Sequence, residues 1–253
     1  MSRRVALVAG GLLVAGAVGA AAVLFLPDGS ETTEPPPPTT TPAPPRPSKP
    51  TLERVHELAA RVPPGDRVAL RARPGGRILA RVGGRTEFGS PQTLAVAFRK
   101  GDWLAVRSSA LGNDELGWVR AAPLRLLRRP VELEVDLSRR ELLVREEEQG
   151  VNRRISVAIG APDTPTPPGE YYVTDKLPGA DFGSYYGCCI LALSGRQPNL
   201  PQGWSGGDRL AIHGSPTATW GHAVSNGCFH ASEADLRYLM KTVPLGTSVE
   251  IHA

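Results

Sequence analysis

The stretch that most limits how this chain can fold is the proline-rich segment over residues 27–50, where Pro35-Pro36-Pro37-Pro38 is flanked by further prolines and threonines. Proline locks φ and has no N–H to donate, so such a run joins neither a helix nor a central strand. It prefers extended polyproline II at ~3.1 Å per residue and is read as a linker. Ahead of it, Val5 to Leu26 gives 22 residues without a charge behind the basic head Arg3-Arg4. At ~1.5 Å per residue that run spans about the ~30 Å hydrocarbon core, whereas the apolar core of a signal peptide is usually roughly 7–15 residues. Ala17-Val18-Gly19-Ala20-Ala21-Ala22 offers small residues for cleavage, but Val23-Leu24-Phe25-Leu26 continues the apolar run beyond them. Residues 1–26 are therefore expected to be an N-terminal membrane anchor, or else a signal segment, with the uncleaved single-pass anchor preferred. The basic head would stay inside and send the rest of the chain out.

Residues 51–128 read as a small β domain. Leu52, Val55, Leu58 and Ala59 give a brief apolar-periodic start, broken by Pro63-Pro64-Gly65. Val68–Ala72 and Ile78–Val82 alternate on either side of the turn Pro74-Gly75-Gly76, which predicts a hairpin. Thr93–Phe98, Asp102–Arg107 and Leu116–Val119 follow as further short strands. The segments Gly101-Asp102-Trp103-Leu104-Ala105-Val106-Arg107 and Gly117-Trp118-Val119 resemble the ends of bacterial SH3-like barrels. Trp103 and Trp118 are expected in the core rather than at a ligand.

From residue 129 the strands lengthen. Val131–Asp136 alternates, and Glu141–Arg145, Arg154–Ile159 and Tyr171–Thr174 follow. Glu146-Glu147-Glu148 is read as the solvated end of a hairpin, not as paired catalytic carboxylates. Ser232-Glu233-Ala234-Asp235 is an N-capping pattern before a helix that would turn Leu236, Leu239, Met240 and Val243 inward. Residues 175–209, rich in glycine and carrying Phe182, Tyr185, Tyr186 and Trp204, read as one long binding loop. The fold class is thus mostly β with one helix near the C-terminus.

The formal charge of +4 is spread out, with no long basic run and no aromatic interleaving, which argues against nucleic acid. Three cysteines are too few for a disulfide scaffold. Cys188 and Cys189 are adjacent, and plain buried thiols are expected there in preference to a vicinal bridge.

Chemistry concentrates in Ile212-His213-Gly214-Ser215 and Ser225-Asn226-Gly227-Cys228-Phe229-His230. A cysteine attacks carbonyls as its thiolate, and a free thiol of pKa about 8.5 needs an imidazole to supply that form at neutral pH. His213 closes the apolar run Leu210-Ala211-Ile212, a short buried strand by pattern, so its ring would be held rigidly. Gly227 permits a sharp turn, so that the amides of Gly227 and Cys228 both point at a developing oxyanion. Either Ser215 or the Gly214 backbone would orient His213. The competing readings are a buried structural cysteine and a zinc site from His213, His222, Cys228 and His230, whose spacing fits no usual zinc pattern.

The residues His213-Gly214-Ser215 followed by Ser225-Asn226-Gly227-Cys228-Phe229-His230 resemble the H-G-T and S-H-G-C-x-R/N signature of the L,D-transpeptidases, whose catalytic domain is of YkuD type. Gly160–Tyr171, with Thr164-Pro165-Thr166-Pro167, and Pro244–Ile251 resemble that family's flanking segments in the same order. The resemblance implies a YkuD-type β-sandwich catalytic domain over residues 129–253, after the SH3-like β barrel. It implies a transferase that acts on peptidoglycan stem peptides through Cys228 and forms 3→3 cross-links, needs no metal or organic cofactor, and works outside the cytoplasm. Ser225, Asn226, His230, Tyr185, Tyr186, Trp204 and Trp220 are the candidate substrate contacts. Two departures stand out: Asn226 replaces a frequent histidine, and His230 stands where arginine or asparagine is usual. Delivery of the acyl group to water, and a wall-binding module with a decayed site, are the alternative functions.

Overall fold

Frequent Pro and Gly turns cut residues 51–128 into eight short strands: β1 (Glu53–Arg54), β2 (Leu58–Arg61), β3 (Arg67–Arg71), β4 (Ile78–Gly83), β5 (Thr93–Lys100), β6 (Trp103–Val106), β7 (Gly117–Arg120) and β8 (Arg125–Arg128). The computed structural model describes residues 51–146 and 152–253. The apolar run over 1–26, the linker over 27–50 and the tip of the acidic hairpin lie outside the described residues. No helix among the described residues is long and apolar enough to cross a membrane.

The eight strands form one sheet in the order β4-β3-β7-β6-β5-β2-β8, with β1 paired to β5. The predicted hairpin is β3 and β4, joined antiparallel with Val68 opposite Val82. Alternating apolar residues fill its core, among them Leu70, Leu94 and Leu104, all fully buried. Trp103 and Trp118 are only half-buried, contrary to expectation. Each sits on a short strand at a face left partly open, and Arg120 lies over the Trp103 ring, 4.6 Å from its centroid. This lobe does not have a closed core of its own. Tyr172 reaches into it from a later strand, and Asn113 exchanges hydrogen bonds of 2.8 Å with the Arg196 backbone.

Ten further strands follow. They are β9 (Val131–Asp136), β10 (Glu141–Glu146), β11 (Asn152–Ser156), β12 (Ile159–Gly160) and β13 (Gly169–Pro178). Then come β14 (Cys189–Arg196), β15 (Arg209–His213), β16 (Ala223–Ser225), β17 (Phe229–His230) and β18 (Ser248–His252). Eight of them make a second sheet, β11-β10-β9-β18-β13-β14-β15-β17, while β12 and β16 pair in parallel. The predicted helix is α1 (Glu233–Thr242), capped by the Ser232 side chain, which accepts from the Asp235 N–H. Its Leu236 and Leu239 are buried against the sheet core, and Met240 is half-buried.

Residues 175–209 are not one loop. β13 runs on to Pro178 and β14 fills the middle of the segment. Seven of the eight β14 residues are buried, so the strand lacks the polar/apolar alternation of a half-exposed strand. What remains of the loop is residues 179–188, with two short 3₁₀ turns (Gly179–Phe182 and Ser184–Tyr186), and residues 197–208.

Cys188 and Cys189 are bridged to each other, correcting the expectation of two plain thiols. Each was judged as an isolated small hydrophobe, but their adjacency at the start of β14 brings the two sulfurs together. Alkylation of the denatured, unreduced protein is expected to label only Cys228, and reduction should then expose all three cysteines. Mass spectrometry showing three labels before reduction would overturn the bridge.

Candidate active site

β15 and β17 are parallel neighbours, with Ile212 opposite Phe229 and His213 opposite His230. The apolar run Leu210-Ala211-Ile212 buries β15, and Phe229 is fully buried beside it. These two strands bring both motifs together, with Cys228 on the turn that leads into β17. A cleft of about 90 Å³ opens here, and Cys228, His213, His230, Tyr185, Tyr186 and Trp204 line it.

The Cys228 turn is held from below by side chains. Gly227 has φ +110°, and a Cβ there would lie 2.2 Å from Gln197 Nε2. Glycine is therefore required both for the backbone angle and for the space. Thr164 Oγ1 donates to the Ser225 carbonyl and Thr166 Oγ1 to the Gly227 carbonyl, each at 2.9 Å. Gln197 Nε2 donates to the carbonyls of Thr164, Pro165 and Asn226 at 3.2, 3.0 and 3.3 Å. All three side chains are buried. The Thr-Pro-Thr-Pro segment is thus a bracket: the Thr166 hydroxyl satisfies the Gly227 carbonyl, and the Thr164 hydroxyl adds a second hydrogen bond to the Ser225 carbonyl, which also accepts from the Ala161 N–H at 2.8 Å. Sequence reasoning missed Gln197, a polar residue in a polar loop with no periodic signal.

His213 is 3% exposed, and its Nδ1–H donates to the Gly214 carbonyl at 2.6 Å. That bond leaves Nε2 as the basic nitrogen. Gly214, not Ser215, therefore orients the ring; Ser215 does not line the cleft. Gly214 also donates to the Tyr186 carbonyl at 2.8 Å. A Cβ on Gly214 would meet that oxygen at 2.9 Å, so only glycine lets the tyrosine turn close over His213. The Tyr186 and His213 ring centroids are 4.9 Å apart, edge to face. Burial, followed by the neighbouring His230, lowers the His213 pKa to about 4.

Cys228 keeps part of its surface open to the cleft, but the protein packed around its sulfur pushes the thiol up to about 11. The thiol donates to the Arg209 carbonyl at 3.7 Å. The resting pair is thus a neutral thiol and a neutral imidazole. His230 is also buried, and its Nδ1 shares a 2.9 Å hydrogen bond with Thr219 Oγ1.

Several predicted roles change. The Gly227 N–H donates to Ser225 Oγ at 3.1 Å, which leaves the Cys228 N–H as the candidate oxyanion donor. Ser225 in turn donates to the Cys228 carbonyl at 2.5 Å, so its hydroxyl is spent inside the turn and not on a substrate. Asn226 lines the cleft, while its own carbonyl anchors Gln197. Trp204 lines it too, but its Nε1–H closes its own loop onto the Gly207 carbonyl at 2.6 Å. Trp220 and His222 do not line the cleft; the turn that presents Thr219 to His230 carries them away from it.

This fold and this site gather one cysteine and two imidazoles into a single cleft of a β-rich domain. Residues 130–251 match the family model of the YkuD L,D-transpeptidase catalytic domain. This C-terminal part of the chain is similar to that family's catalytic domain. It is similar to the L,D-transpeptidase YkuD of Bacillus subtilis, 33% identical over 105 residues, covering 40% of this chain and 54% of that protein. The Bacillus licheniformis YkuD is 31% identical over 125 residues, covering 48% of this chain and 66% of that protein. The match thus spans between about half and two thirds of these relatives' length. Among solved structures, an L,D-transpeptidase from Mycobacterium smegmatis is 19% identical, with TM-score 0.38, covering 55% of this chain and 73% of that one.

Proposed function

We propose that this protein is an L,D-transpeptidase that forms 3→3 cross-links between peptidoglycan stem peptides through a thioester on Cys228. The observation that carries this reading is the cleft in which a bracketed cysteine turn meets an imidazole oriented by its own neighbour's carbonyl. In the first step the thiol turns from the Arg209 carbonyl toward His213 and gives its proton to Nε2. The sulfur attacks the donor carbonyl. The C–N bond to the terminal D-alanine breaks, and His213 returns the proton to the leaving amine. General-base help of this kind is worth ~10²–10⁴-fold. The Cys228 N–H faces the developing oxyanion, and one such donor contributes about 3–4 kcal/mol. In the second step an amine from another stem attacks the thioester and regenerates the thiol.

Residues 1–26 serve in this reading as a single-pass anchor and residues 27–50 as its linker into the wall. Residues 51–128 are an SH3-like β domain that positions residues 129–253 there, where a mildly basic surface suits an anionic polymer. The test is incubation of the full chain with a disaccharide tetrapeptide. Intact-protein mass spectrometry should show one tripeptidyl adduct on the peptide that contains Cys228, and the products should include 3→3 dimers. An adduct confined to Cys188 or Cys189, or none, would overturn the reading.

A further inference from the structure

The second imidazole of the cleft has no part in the acylation step described above. His230 stands opposite His213 in the parallel β15–β17 pair. The two rings therefore lie side by side, with centroids 4.8 Å apart and tilted by 47°. The side chain is almost completely enclosed, 3% exposed, yet it lines the same cleft as the Cys228 sulfur. Thr219 Oγ1 occupies its Nδ1 at 2.9 Å and fixes the ring's orientation. Tyr185 stands edge-on to it, with centroids 6.1 Å apart. An arginine at this position would be a permanent cation suited to holding a carboxylate. A buried imidazole beside a second imidazole is a different device: burial lowers its pKa, so the ring stays neutral and keeps a free lone pair.

We infer that His230 is the general base for the acyl acceptor, so that the two histidines divide the reaction: His213 serves the thiol and His230 the incoming amine. This rests on the transpeptidase reading. The neutral acceptor amine attacks the thioester carbonyl and forms the new C–N bond. The attacking nitrogen gives its surplus proton to His230, and collapse breaks the C–S bond to release the thiolate. His230 returns the proton to that sulfur, directly or through His213, and both imidazoles finish neutral. The titratable and charged groups that share the cleft with His230 are His213, beside its ring, Tyr185, edge-on to it, and Tyr186, Cys228, Asp208 and Arg209 along the lining.

The experiment separates the two steps. The full chain is given a stem tetrapeptide as donor and D-methionine as the amine. Rapid-quench release of D-alanine reports acylation, and exchange of the C-terminal residue reports aminolysis. His230→Asn and His230→Gln keep a polar side chain beside Thr219 but cannot take up a proton. Aminolysis is expected to fall by ~10²-fold or more while acylation changes by less than about threefold. Once corrected for the fraction of D-methionine present as neutral amine, the aminolysis profile should also lose its acid limb, because in the wild type the limb that survives this correction marks protonation of His230 as pH falls. Equal losses in both steps would mean a structural role, and an unchanged aminolysis rate would mean no role; either result overturns the assignment. If neither variant folds, the wild-type profiles decide, with aminolysis corrected for the neutral fraction of the amine: a remaining acid limb absent from acylation supports His230, and identical limbs refute it. Failure of the functional reading looks different, since the wild type would then form no tripeptidyl adduct on Cys228.

Discussion

Replacing Cys228 by alanine is expected to abolish both the covalent adduct and every cross-linked product. Loss of the nucleophile removes the thioester route entirely, and losses at such positions reach at least about 10⁴-fold. The fold should survive. The thiol is partly open to the cleft, and the turn that carries it is held by backbone carbonyls accepting from Thr166, Gln197 and Ser225. Removing one sulfur atom from such a site costs about 1 kcal/mol, read as a small shift in Tm. The bridged pair makes a sharp control, because serine at both Cys188 and Cys189 leaves the proposed nucleophile in place. Retained 3→3 dimers in a muropeptide digest of Cys228→Ala would sink the mechanism, as would loss of the adduct in the double-serine variant with its fold intact.

His213→Ala should slow acylation by the donor tetrapeptide at pH 7 by ~10²–10⁴-fold. Its pH dependence carries the mechanism. The Cys228 thiol is pushed up to about 11, so without a base the thiolate is scarce at neutral pH. Its concentration rises about tenfold per pH unit until the pKa is reached. The variant's rate should climb with that slope as pH rises. The wild type should behave in the opposite sense at the acid end. An imidazole lowered to about 4 stays neutral, and so stays a base, well below the ordinary histidine range. Its acylation rate should hold between pH 7 and pH 5 and fall only on approach to about 4. An acid limb near 6.5 in the wild type, or a variant rate that ignores pH, would count against His213 as the base of the first step.

The two histidines show how far the residues alone reach. His213, Gly214 and Cys228 are legible as a site because a catalytic thiol needs an imidazole, a rigid strand end and a glycine turn, and each leaves a local mark in the chain. His230 is legible only as a departure from a family pattern. Nothing short of the β15–β17 register places its ring beside His213.

Local rules alone determine the strand-and-turn pattern of residues 51–128, the capped helix after Ser232 and the Leu210–His213 strand. In each of these the period of apolar residues and the capping or turn chemistry lie within a few neighbours. The tertiary structure decided what depends on partners far along the chain. Strand β14 looked like loop because it is buried on both faces and carries no alternation. Thr164, Thr166 and Gln197 looked like ordinary loop polar groups because the carbonyls they satisfy lie 61, 61 and 29 residues away. Ser225 and the Gly227 amide looked free for substrate until the turn's own hydrogen bonds consumed them. A buried polar group must find a partner, and only the folded chain determines which one is within reach.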